Sequence, residues 1–596
     1  MDIQSGRRAL AHALLDCPPS KLQQRFSQEF YPRIAELHTA LKSLFFLLEA
    51  TQEDEPILNR IKKWQENGHT QPTDARMLIV ALFYLAPYQI KSFPPIATIP
   101  QWLLEFVFKS ICLRSLDAFR YRGEIREHCD TLLWLTDETH KIIHDPNLLP
   151  DHKNLVARVY ASTMNPIPFY FLDDDLAAFY KQRSAIVEFF LASQKNTTPL
   201  DYQFPATPPA TEGNKIRLGI LAHHFGPQTE TYSTLAVYHD LDRSRFDITL
   251  IADGPFGNHP LEQYCSRHAD RTVVLPKHPG QAVEAIRKLD LDAIWISPNM
   301  TGNMGSVLAT TIPPFRLARV QITGGNSPAT TGFHNIDYFV SGTYTEPADA
   351  QSHYTEKLLL VDGPAHCFVF DESAAMTSGV KFSREAAGIP QDALIFVSGA
   401  NFYKITPEQE DVWLAIIRQV PGSRLLLYPF NPNWNADYQM GTFFRRLDAS
   451  IKRLGLGYNP IILQRPMPYK ADILELLKLG DVYLDSFPHT GMTSLLDPLH
   501  VHLPVVVQEG NSQRARMSAS ALRALGLEHR ITRSVEEYSA LAIKLATDTA
   551  AREQYRQELE QAMQTTPKFL DSKWFGSEIS RILEEVTGHN RQGAHP

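Results

Sequence analysis

The sequence is poor in cysteine and lacks the cysteine spacing of metal-binding and redox motifs. Five cysteines are scattered over 596 residues, and no two of them form a Cys-x-x-Cys pair. This distribution argues against a disulfide framework and against a zinc site, and it is typical of proteins from a reducing compartment. We therefore expect neither disulfides nor a bound metal.

A long basic run and a membrane-spanning stretch are also missing. The formal net charge is −8, which disfavours nucleic acid as the main partner. The most apolar early run, "MLIVALFYLAPY" from Met77 to Tyr88, is too short to cross a bilayer. The N-terminus has no apolar stretch of signal-peptide length. We expect a cytoplasmic protein with no membrane span and no nucleic-acid partner.

Residues 1–195 carry helical patterns and almost no strand-like runs. "RIAELHTALKSLFFLLEA" has apolar residues three and four positions apart, as an amphipathic helix requires. No 34-residue recurrence is found, so a regular tetratricopeptide array is not supported. The acidic stretch "FLDDDLAAF" around Asp173 is interpreted as a helix N-cap followed by acids in the first turn. The sequence predicts an all-helical N-terminal domain.

A stretch rich in proline and threonine, residues 196–214, predicts a linker, after which short apolar runs alternate with helical patterns. Twelve such runs follow, from "KIRLGILA" to "LPVVVQ", and this alternation is typical of parallel α/β sheets. It predicts two Rossmann-like domains, 215–375 and 376–596, with the C-terminal helices in the second. No Gly-x-Gly-x-x-Gly follows the first strand, which disfavours a nicotinamide-dependent dehydrogenase.

One predicted strand end carries the signature of an anion site. In "LDSFPHTGMTSLLDPL", Gly491 allows a close backbone approach, and Thr493 and Ser494 stand at a predicted helix start. Free backbone N–H groups and the helix dipole favour a negative charge at such a position. We interpret the stretch as a candidate phosphate-binding loop.

Polar residues follow three other strands of the second α/β unit. Because the carboxyl ends of parallel strands meet at one edge of a sheet, these residues are predicted to face one cleft. Their coincidence indicates an anionic nucleotide ligand. They are Asn401 and Lys404 in "VSGANFYKITP", Lys470 in "LQRPMPYKADILELL", and Arg514 and Arg516 in "QEGNSQRARM".

From about Lys215 onward the chain resembles glycosyltransferase family 41, which holds the O-linked N-acetylglucosaminyltransferases and the bacterial adhesin N-glycosyltransferases. "NFYKITP" resembles the family segment with a diphosphate-contacting lysine, and "LDSFPHTGMTSLLDPL" matches the segment that binds the pyrophosphate and ribose of a uridine diphosphate (UDP) sugar. The resemblance implies an α/β fold of two Rossmann-like domains facing a cleft (the GT-B type), behind the all-α N-terminal domain. It implies these donor-binding residues, with Met492 in place of a family histidine: Asn401, Lys404, Lys470, Gly491, Met492, Thr493, Ser494 and Asp497.

The acceptor side is implied by "HHFGPQTETY" and by loops near Gly324 and Asn299. His224 matches the adhesin pattern and Glu230 lies close by, so both join Lys404 as expected catalytic residues. Gln228 stands where the O-linked enzymes carry a histidine. The expected acceptor-side residues are Gln228, Tyr232, Gly324 and Gly325.

The resemblance implies an inverting, metal-independent enzyme that needs no cofactor and uses a UDP-sugar as donor. It would move a hexose or N-acetylhexosamine to an Asn, Ser or Thr side chain of a protein. The adhesin branch implies a bacterial origin and a surface adhesin as one candidate acceptor. A nucleotide-sugar epimerase, a glycan glycosyltransferase and a non-catalytic UDP-sugar-binding protein remain as alternatives.

Overall fold

The computed structural model describes most of the chain as three packed units. Two of them are α/β, and the first is helical. The described residues are 3–41, 48–67, 74–91, 93–112, 119–194, 198–205, 215–302, 310–370, 378–379, 382–428, 441–465, 467 and 469–588. Both ends of the predicted linker lie outside these residues, so its boundaries stay a prediction.

Among its described residues, the N-terminal unit contains helices joined by turns and loops, and no strand. Its core forms around α5, in which every residue except Arg76 is buried. The run "MLIVALFY" is thus a central core helix, which explains its all-round apolar character. Asp74 caps α5 by accepting hydrogen bonds from the backbone N–H groups of Arg76 and Met77. The α-helices are α1 (Ile3–Leu15), α2 (Pro19–Arg25), α3 (Tyr31–Leu41), α4 (Glu55–Glu66), α5 (Ala75–Tyr84), α6 (Leu104–Cys112), α7 (Glu124–His144), α8 (Pro150–Thr163) and α9 (Ala177–Ala192).

The first α/β unit holds a parallel sheet with strand order β3-β2-β1-β4-β5-β6-β7 in the described residues. Apolar side chains of the strands are buried on both faces, as parallel sheets require. The strands are β1 (Ile216–Ala222), β2 (Phe246–Ala252), β3 (Arg271–Val274), β4 (Ala293–Ile296), β5 (Val320–Gly324), β6 (Tyr338–Gly342) and β7 (Lys357–Val361), with helices α10 (Thr229–Tyr238), α11 (Pro260–Arg267) and α12 (Pro279–Arg287).

The second unit holds a parallel sheet with order β10-β9-β8-β11-β12-β13 among its described residues. The predicted α/β class is confirmed, although the two-residue strand β13 was missed because it is too short to show an apolar run. The strands are β8 (Ile395–Ser398), β9 (Arg424–Leu427), β10 (Ile461–Leu463), β11 (Val482–Leu484), β12 (Val505–Gln508) and β13 (Ile531–Thr532). The helices are α13 (Pro407–Gln419), α14 (Gly441–Arg453), α15 (Lys470–Leu477), α16 (Thr493–His500), α17 (Met517–Ala524), α18 (Val535–Thr547) and α19 (Thr549–Ala562).

The last helix differs from the sequence-based division of the chain. Helix α20 (Ser572–Thr587) was assigned to the second unit, but Phe575 and Ile579 lie in the core of the first unit, with strands β1 and β2. Gly576 permits this packing, because a Cβ there would lie 3.2 Å from the Cβ of Asp240. The C-terminal segment therefore returns across the cleft and ties the two α/β units together.

The acidic stretch after Phe171 joins the helical unit to the second α/β unit, which corrects its interpretation as a helix N-cap for Asp173; only Asp175 serves the start of α9, by accepting the Ala177 N–H at 2.9 Å. Helix α9 begins only at Ala177. The Asp173 carboxylate instead accepts hydrogen bonds from the N–H groups of Asn511 (2.6 Å) and Ser512 (2.9 Å), and from the Ser512 hydroxyl (2.6 Å). A carboxylate can accept hydrogen bonds from the backbone N–H groups of a distant loop as readily as from those of the helix that follows it in the chain.

No described helix is both long and apolar enough to cross a membrane.

Candidate active site

The candidate donor site lies where two neighbouring strands of the second sheet end. Strands β8 and β11 are paired in parallel, so the loops that follow them emerge side by side. The turn after β8 carries Lys404, and the loop after β11 leads into α16. The Lys404 ammonium donates a hydrogen bond of 2.8 Å to the carbonyl of Thr490. The structure thus brings together two segments that are 86 residues apart.

The buried Asp485 carboxylate lies near the half-buried Lys404 ammonium behind this loop. Burial lowers the pKa of Lys404 from 10.5 to about 8, and the nearby Asp485 carboxylate opposes that shift. Burial likewise raises the pKa of Asp485, against the Ser518 hydroxyl bond and the Lys404 charge. A charge held in such an enclosed site interacts strongly with any ion that enters it. The ammonium is therefore poised for an anionic ligand.

The loop after β11 presents fewer free N–H groups than its sequence suggests. The Asp485 carboxylate accepts the Gly491 N–H at 3.2 Å and the Ser518 hydroxyl at 2.5 Å, so Gly491 shapes the loop and has no N–H left for an anion. The remaining N–H groups belong to Met492, Thr493 and Ser494, at the start of α16. The first N–H groups of a helix have no intrahelical acceptor, and this start is suited to an anion.

The hydroxyls at the start of α16 do not cap the helix. Its N-cap is Met492, which has no side-chain cap hydrogen bond, and Thr493 and Ser494 are the first two helical residues. Met492, which stands where the family has a histidine, is buried. The purely structural explanation of the two hydroxyls, an N-cap role, is therefore wrong for this helix.

Lys470 and Asp497, both expected donor ligands, bind each other. The Lys470 ammonium lies 2.6 Å from the Asp497 carboxylate and 4.5 Å from the centroid of the Phe370 ring. Phe370 also contacts the ring of Tyr232, with centroids 4.9 Å apart. Tyr232, expected on the acceptor side, thus lies at the junction of the two α/β units, beside the donor residues.

Asn401 has a local role beside Lys404. Its side-chain oxygen accepts the Tyr403 N–H at 3.1 Å and so caps the short turn that carries Lys404. Its side-chain amide nitrogen is buried and has no hydrogen-bond partner in the described part of the chain. An unpartnered buried donor of this kind is costly and marks Asn401 as a candidate ligand contact.

On the acceptor side, a cavity of about 270 Å³ opens at the ends of β1 and β4. It brings together three of the expected residues, His224, Gln228 and Glu230, with Asn299 of the loop after β4. Its lining also includes Ile167 from the helical unit. The helical unit therefore contributes directly to the wall of this cavity.

Gly324 and Gly325 serve packing, and neither lines that cavity. A Cβ at Gly324 would lie 2.8 Å from the Trp295 ring, and one at Gly325 would lie 2.5 Å from the His366 ring. Burial lowers the pKa of His366 to about 4, so this ring is neutral at physiological pH. The two glycines were expected to face the acceptor. The sequence could not show otherwise, because a Gly-Gly pair does not reveal which side chains pack against it.

His224 is held in one tautomer. Its Nδ1 accepts the Gly226 N–H at 3.0 Å, so the neutral ring carries its proton on Nε2. In this state His224 donates a hydrogen bond through Nε2 and cannot take up a proton there. The adjacent His223 lines the same cavity, with its Nδ1 3.7 Å from the Asp253 carboxylate.

Two arginines that the sequence suggested as anion ligands are used elsewhere. Arg514 is buried and donates to the carbonyls of Leu172 and Asp174 in the helical unit. Arg516 pairs with Glu509 at 2.9 Å and donates a hydrogen bond of 3.0 Å to the Thr345 carbonyl of the first α/β unit. Both side chains hold units together, and sequence position alone could not distinguish this role from anion binding.

The sequence analysis missed His489, which lies in the loop after β11. Burial and the neighbouring positive charges of Lys404 and Arg514 lower its pKa well below the ordinary value. Its ring meets the edge of Tyr170 from the helical unit, with centroids 5.7 Å apart. The histidine was visible in "FPHTG", but its contact with the helical unit was not.

Comparison with known proteins assigns the family. The model of glycosyl transferase family 41 matches residues 190–381 and 371–579, well over half of the chain. This chain belongs to glycosyl transferase family 41. The resemblance drawn from "NFYKITP" and "LDSFPHTGMTSLLDPL" is confirmed.

The family 41 relatives are longer proteins. A Solanum lycopersicum protein, described as probable UDP-N-acetylglucosamine–peptide N-acetylglucosaminyltransferase SPINDLY, is 27% identical over 50% of this chain and 30% of its own length. An Arabidopsis thaliana protein of the same description, SEC, is 25% identical over 68% of this chain and 40% of its own. The chain thus spans less than half the length of either relative. Both are plant proteins, so the expected bacterial origin stays a prediction.

A solved structure shares the fold. A mutant O-GlcNAc transferase from Thermobaculum terrenum superposes with a TM-score of 0.59 at 17% sequence identity, covering 99% of both chains. The predicted GT-B arrangement behind a helical unit is confirmed. Among the described residues of this family 41 chain, no cluster of three or more His, Cys, Asp or Glu side chains could hold a metal ion.

The Lys404 pKa generates a prediction for pH dependence. A diphosphate would bind the charged ammonium, and the free protein loses that charge as the pH rises through about 8. UDP affinity should therefore fall between about pH 7 and about pH 9. Lys404→Ala should abolish this decrease in affinity with pH and should also lose most of the affinity itself. Turnover of Lys404→Ala should be at least about a hundredfold lower. Calorimetric titration with UDP over this pH range measures the affinity, and Lys478→Ala, at an exposed lysine, is the control. If Lys404→Ala shows the same decrease in affinity with pH as the unmodified protein, the prediction is wrong.

The uncapped start of α16 generates a second prediction. Thr493→Val combined with Ser494→Ala should weaken UDP binding roughly ten- to a hundredfold, since a hydrogen bond to a charged group contributes about 1.5–3 kcal/mol. The melting temperature should hardly change. The control is Ser534→Ala, which removes a true cap on the Glu537 N–H and should lower the melting temperature while UDP affinity stays intact. The opposite pattern would show that the two hydroxyls serve only the fold.

Proposed function

We propose that this chain is an inverting, metal-independent glycosyltransferase that moves a hexose or N-acetylhexosamine from a UDP-sugar to a protein side chain. The observation that carries the proposal is the half-buried Lys404 ammonium, adjacent to the uncapped start of α16. Family membership supports the reaction class. The names of the plant relatives support N-acetylglucosamine as the sugar and a peptide as the acceptor.

The donor half stabilises the leaving diphosphate. As the bond from the anomeric carbon to the phosphate oxygen breaks, negative charge grows on the UDP. In this proposal Lys404 and the N–H groups at the start of α16 stabilise this charge, and little reorganisation is needed because the fold already holds them together. Lys470 and Asp497, which bind each other at 2.6 Å, would turn to the ribose or base when the nucleotide enters. No step requires a metal ion.

The acceptor half removes one proton. The acceptor oxygen or nitrogen attacks the anomeric carbon on the face opposite the diphosphate, which inverts the configuration, and its proton passes to a base. Glu230 is exposed, lies in the first turn of α10 and lines the cavity, so we assign it the base role. His224, with its proton on Nε2, would donate a hydrogen bond to the acceptor.

The reaction class is tested by following the sugar. Incubation with UDP-N-acetylglucosamine labelled in the sugar, together with a lysate of the source cell, should place label on protein. Transfer should continue in EDTA, since charge neutralisation is assigned to Lys404 and the helix start. Free altered sugar would support an epimerase, label on glycan would support a glycan glycosyltransferase, and binding without turnover would leave a UDP-sugar-binding protein. Activity lost in EDTA and restored by magnesium or manganese would contradict the metal-free mechanism.

The base assignment predicts a selective loss. Glu230→Gln keeps the shape of the side chain but cannot take up a proton, so transfer should fall by about a hundredfold or more. UDP affinity should be unchanged, because Glu230 lies in the other α/β unit from Lys404. Glu262→Gln is the matched control, a nearby carboxylate that caps α11 through the His259 N–H. If Glu230→Gln retains full transfer, the proton passes to another group, with His223 the next to test.

A further inference from the structure

The loop after β4 forms one wall of the acceptor cavity, and side chains of the helical unit hold it in place. Its residues Asn299 and Gly302 line the cavity. Three helical-unit residues reach this loop: Tyr170, Tyr180 and Arg183, all buried. The cavity wall is therefore built by two units of the protein.

The Tyr170 hydroxyl closes a ring of hydrogen bonds with two side chains of the loop. The Asn299 amide donates to the Tyr170 oxygen at 3.1 Å. The Tyr170 hydroxyl donates to the Thr301 hydroxyl oxygen at 2.8 Å, and the Thr301 hydroxyl donates to the side-chain oxygen Oδ1 of Asn299 at 2.7 Å. Each hydroxyl proton is used once, so the ring is internally consistent. It orients the amide of Asn299 at the cavity wall.

Tyr180 and Arg183 hold the backbone of the same loop. The Tyr180 hydroxyl donates to the Thr301 carbonyl at 2.8 Å. The Arg183 guanidinium donates to the Gly302 carbonyl at 3.1 Å and to the Met300 carbonyl at 3.4 Å. These bonds keep the loop backbone in place, whereas the Tyr170 hydroxyl bonds the side chains of Asn299 and Thr301.

Tyr170 also contacts the donor half of the cleft. Its ring meets the ring of His489 nearly at right angles, with centroids 5.7 Å apart. His489 directly precedes Thr490, whose carbonyl binds the Lys404 ammonium. One helical-unit side chain thus touches the acceptor wall through its hydroxyl and the donor loop through its ring.

We propose that Tyr170 is a positioning residue for the acceptor, setting the orientation of Asn299 from the helical unit through its hydroxyl. This inference rests on the proposed transferase function. It gives the helical unit a part in acceptor binding that does not require it to touch the acceptor. Removing the hydroxyl alone should disturb the acceptor side and spare the donor side, because the contact between the Tyr170 and His489 rings is kept.

Tyr170→Phe in the full chain tests the proposal, with Tyr160→Phe as the matched control. Tyr160 is another buried tyrosine of the helical unit, and its hydroxyl bonds Thr136 at 2.8 Å, away from the cleft. The probes are UDP, labelled UDP-N-acetylglucosamine and peptides that each carry a single Ser, Thr or Asn. For Tyr170→Phe, the peptide KM should rise roughly tenfold, the size expected for one buried hydrogen bond. The UDP Kd and the release of free sugar into water should not change.

Hydrogen exchange supplies a readout that needs no catalysis. Amide exchange in residues 297–302 should speed up severalfold in Tyr170→Phe and stay unchanged in Tyr160→Phe. Equal effects of the two variants, unchanged exchange, or a parallel loss of UDP affinity would each overturn the proposal. If the unmodified chain transfers no sugar to any peptide, the proposed function fails, and the exchange comparison alone decides whether Tyr170 holds the loop.

Discussion

The half-buried Lys404 ammonium is the feature on which the rest of the candidate site depends. Lys404 lies among protein atoms, bonded to the Thr490 carbonyl and close to the Asp485 carboxylate. Taking a cation out of water is costly unless opposite charge or aligned dipoles replace the lost hydration. Asp485 supplies part of that compensation and also binds the loop that leads into α16. A diphosphate entering the cleft would supply the remainder.

The helical unit is part of the same site. It holds the second α/β unit through Asp173 and the loop of Asn511 and Ser512, and it holds the first through Tyr180 and Arg183. Helix α20 returns from the far end of the chain to the core of the first unit. These contacts restrain the relative placement of the cleft walls, which matters because two reacting groups must be held aligned and about 3–3.5 Å apart.

The site residues that the sequence suggested and those that only the structure brought forward differ in one physical respect. Lys404, Thr493 and Asp497 belong to the segments that follow strands β8 and β11, and the geometry of a parallel sheet brings such segments to one edge. Arg516 occupies a similar position, yet Glu509 takes its charge. Tyr170 belongs to a segment with no strand-end signal at all. The position of a residue relative to a strand end can be read from the local sequence, whereas the identity of its hydrogen-bond or ion-pair partner cannot.

The sequence by itself determined the parallel α/β class, the helical character of the first unit, the family, and the loops that carry Lys404 and Thr493. These follow from periodicity, strand-end chemistry and motif, all of which are contained in short segments. Only the tertiary structure decided that the Gly491 N–H belongs to Asp485, that His224 holds its proton on Nε2, and that the helical unit forms a wall of the acceptor cavity. Hydrogen-bond partners far apart in the chain are selected by packing, and a linear pattern carries no record of which groups are brought within 3 Å.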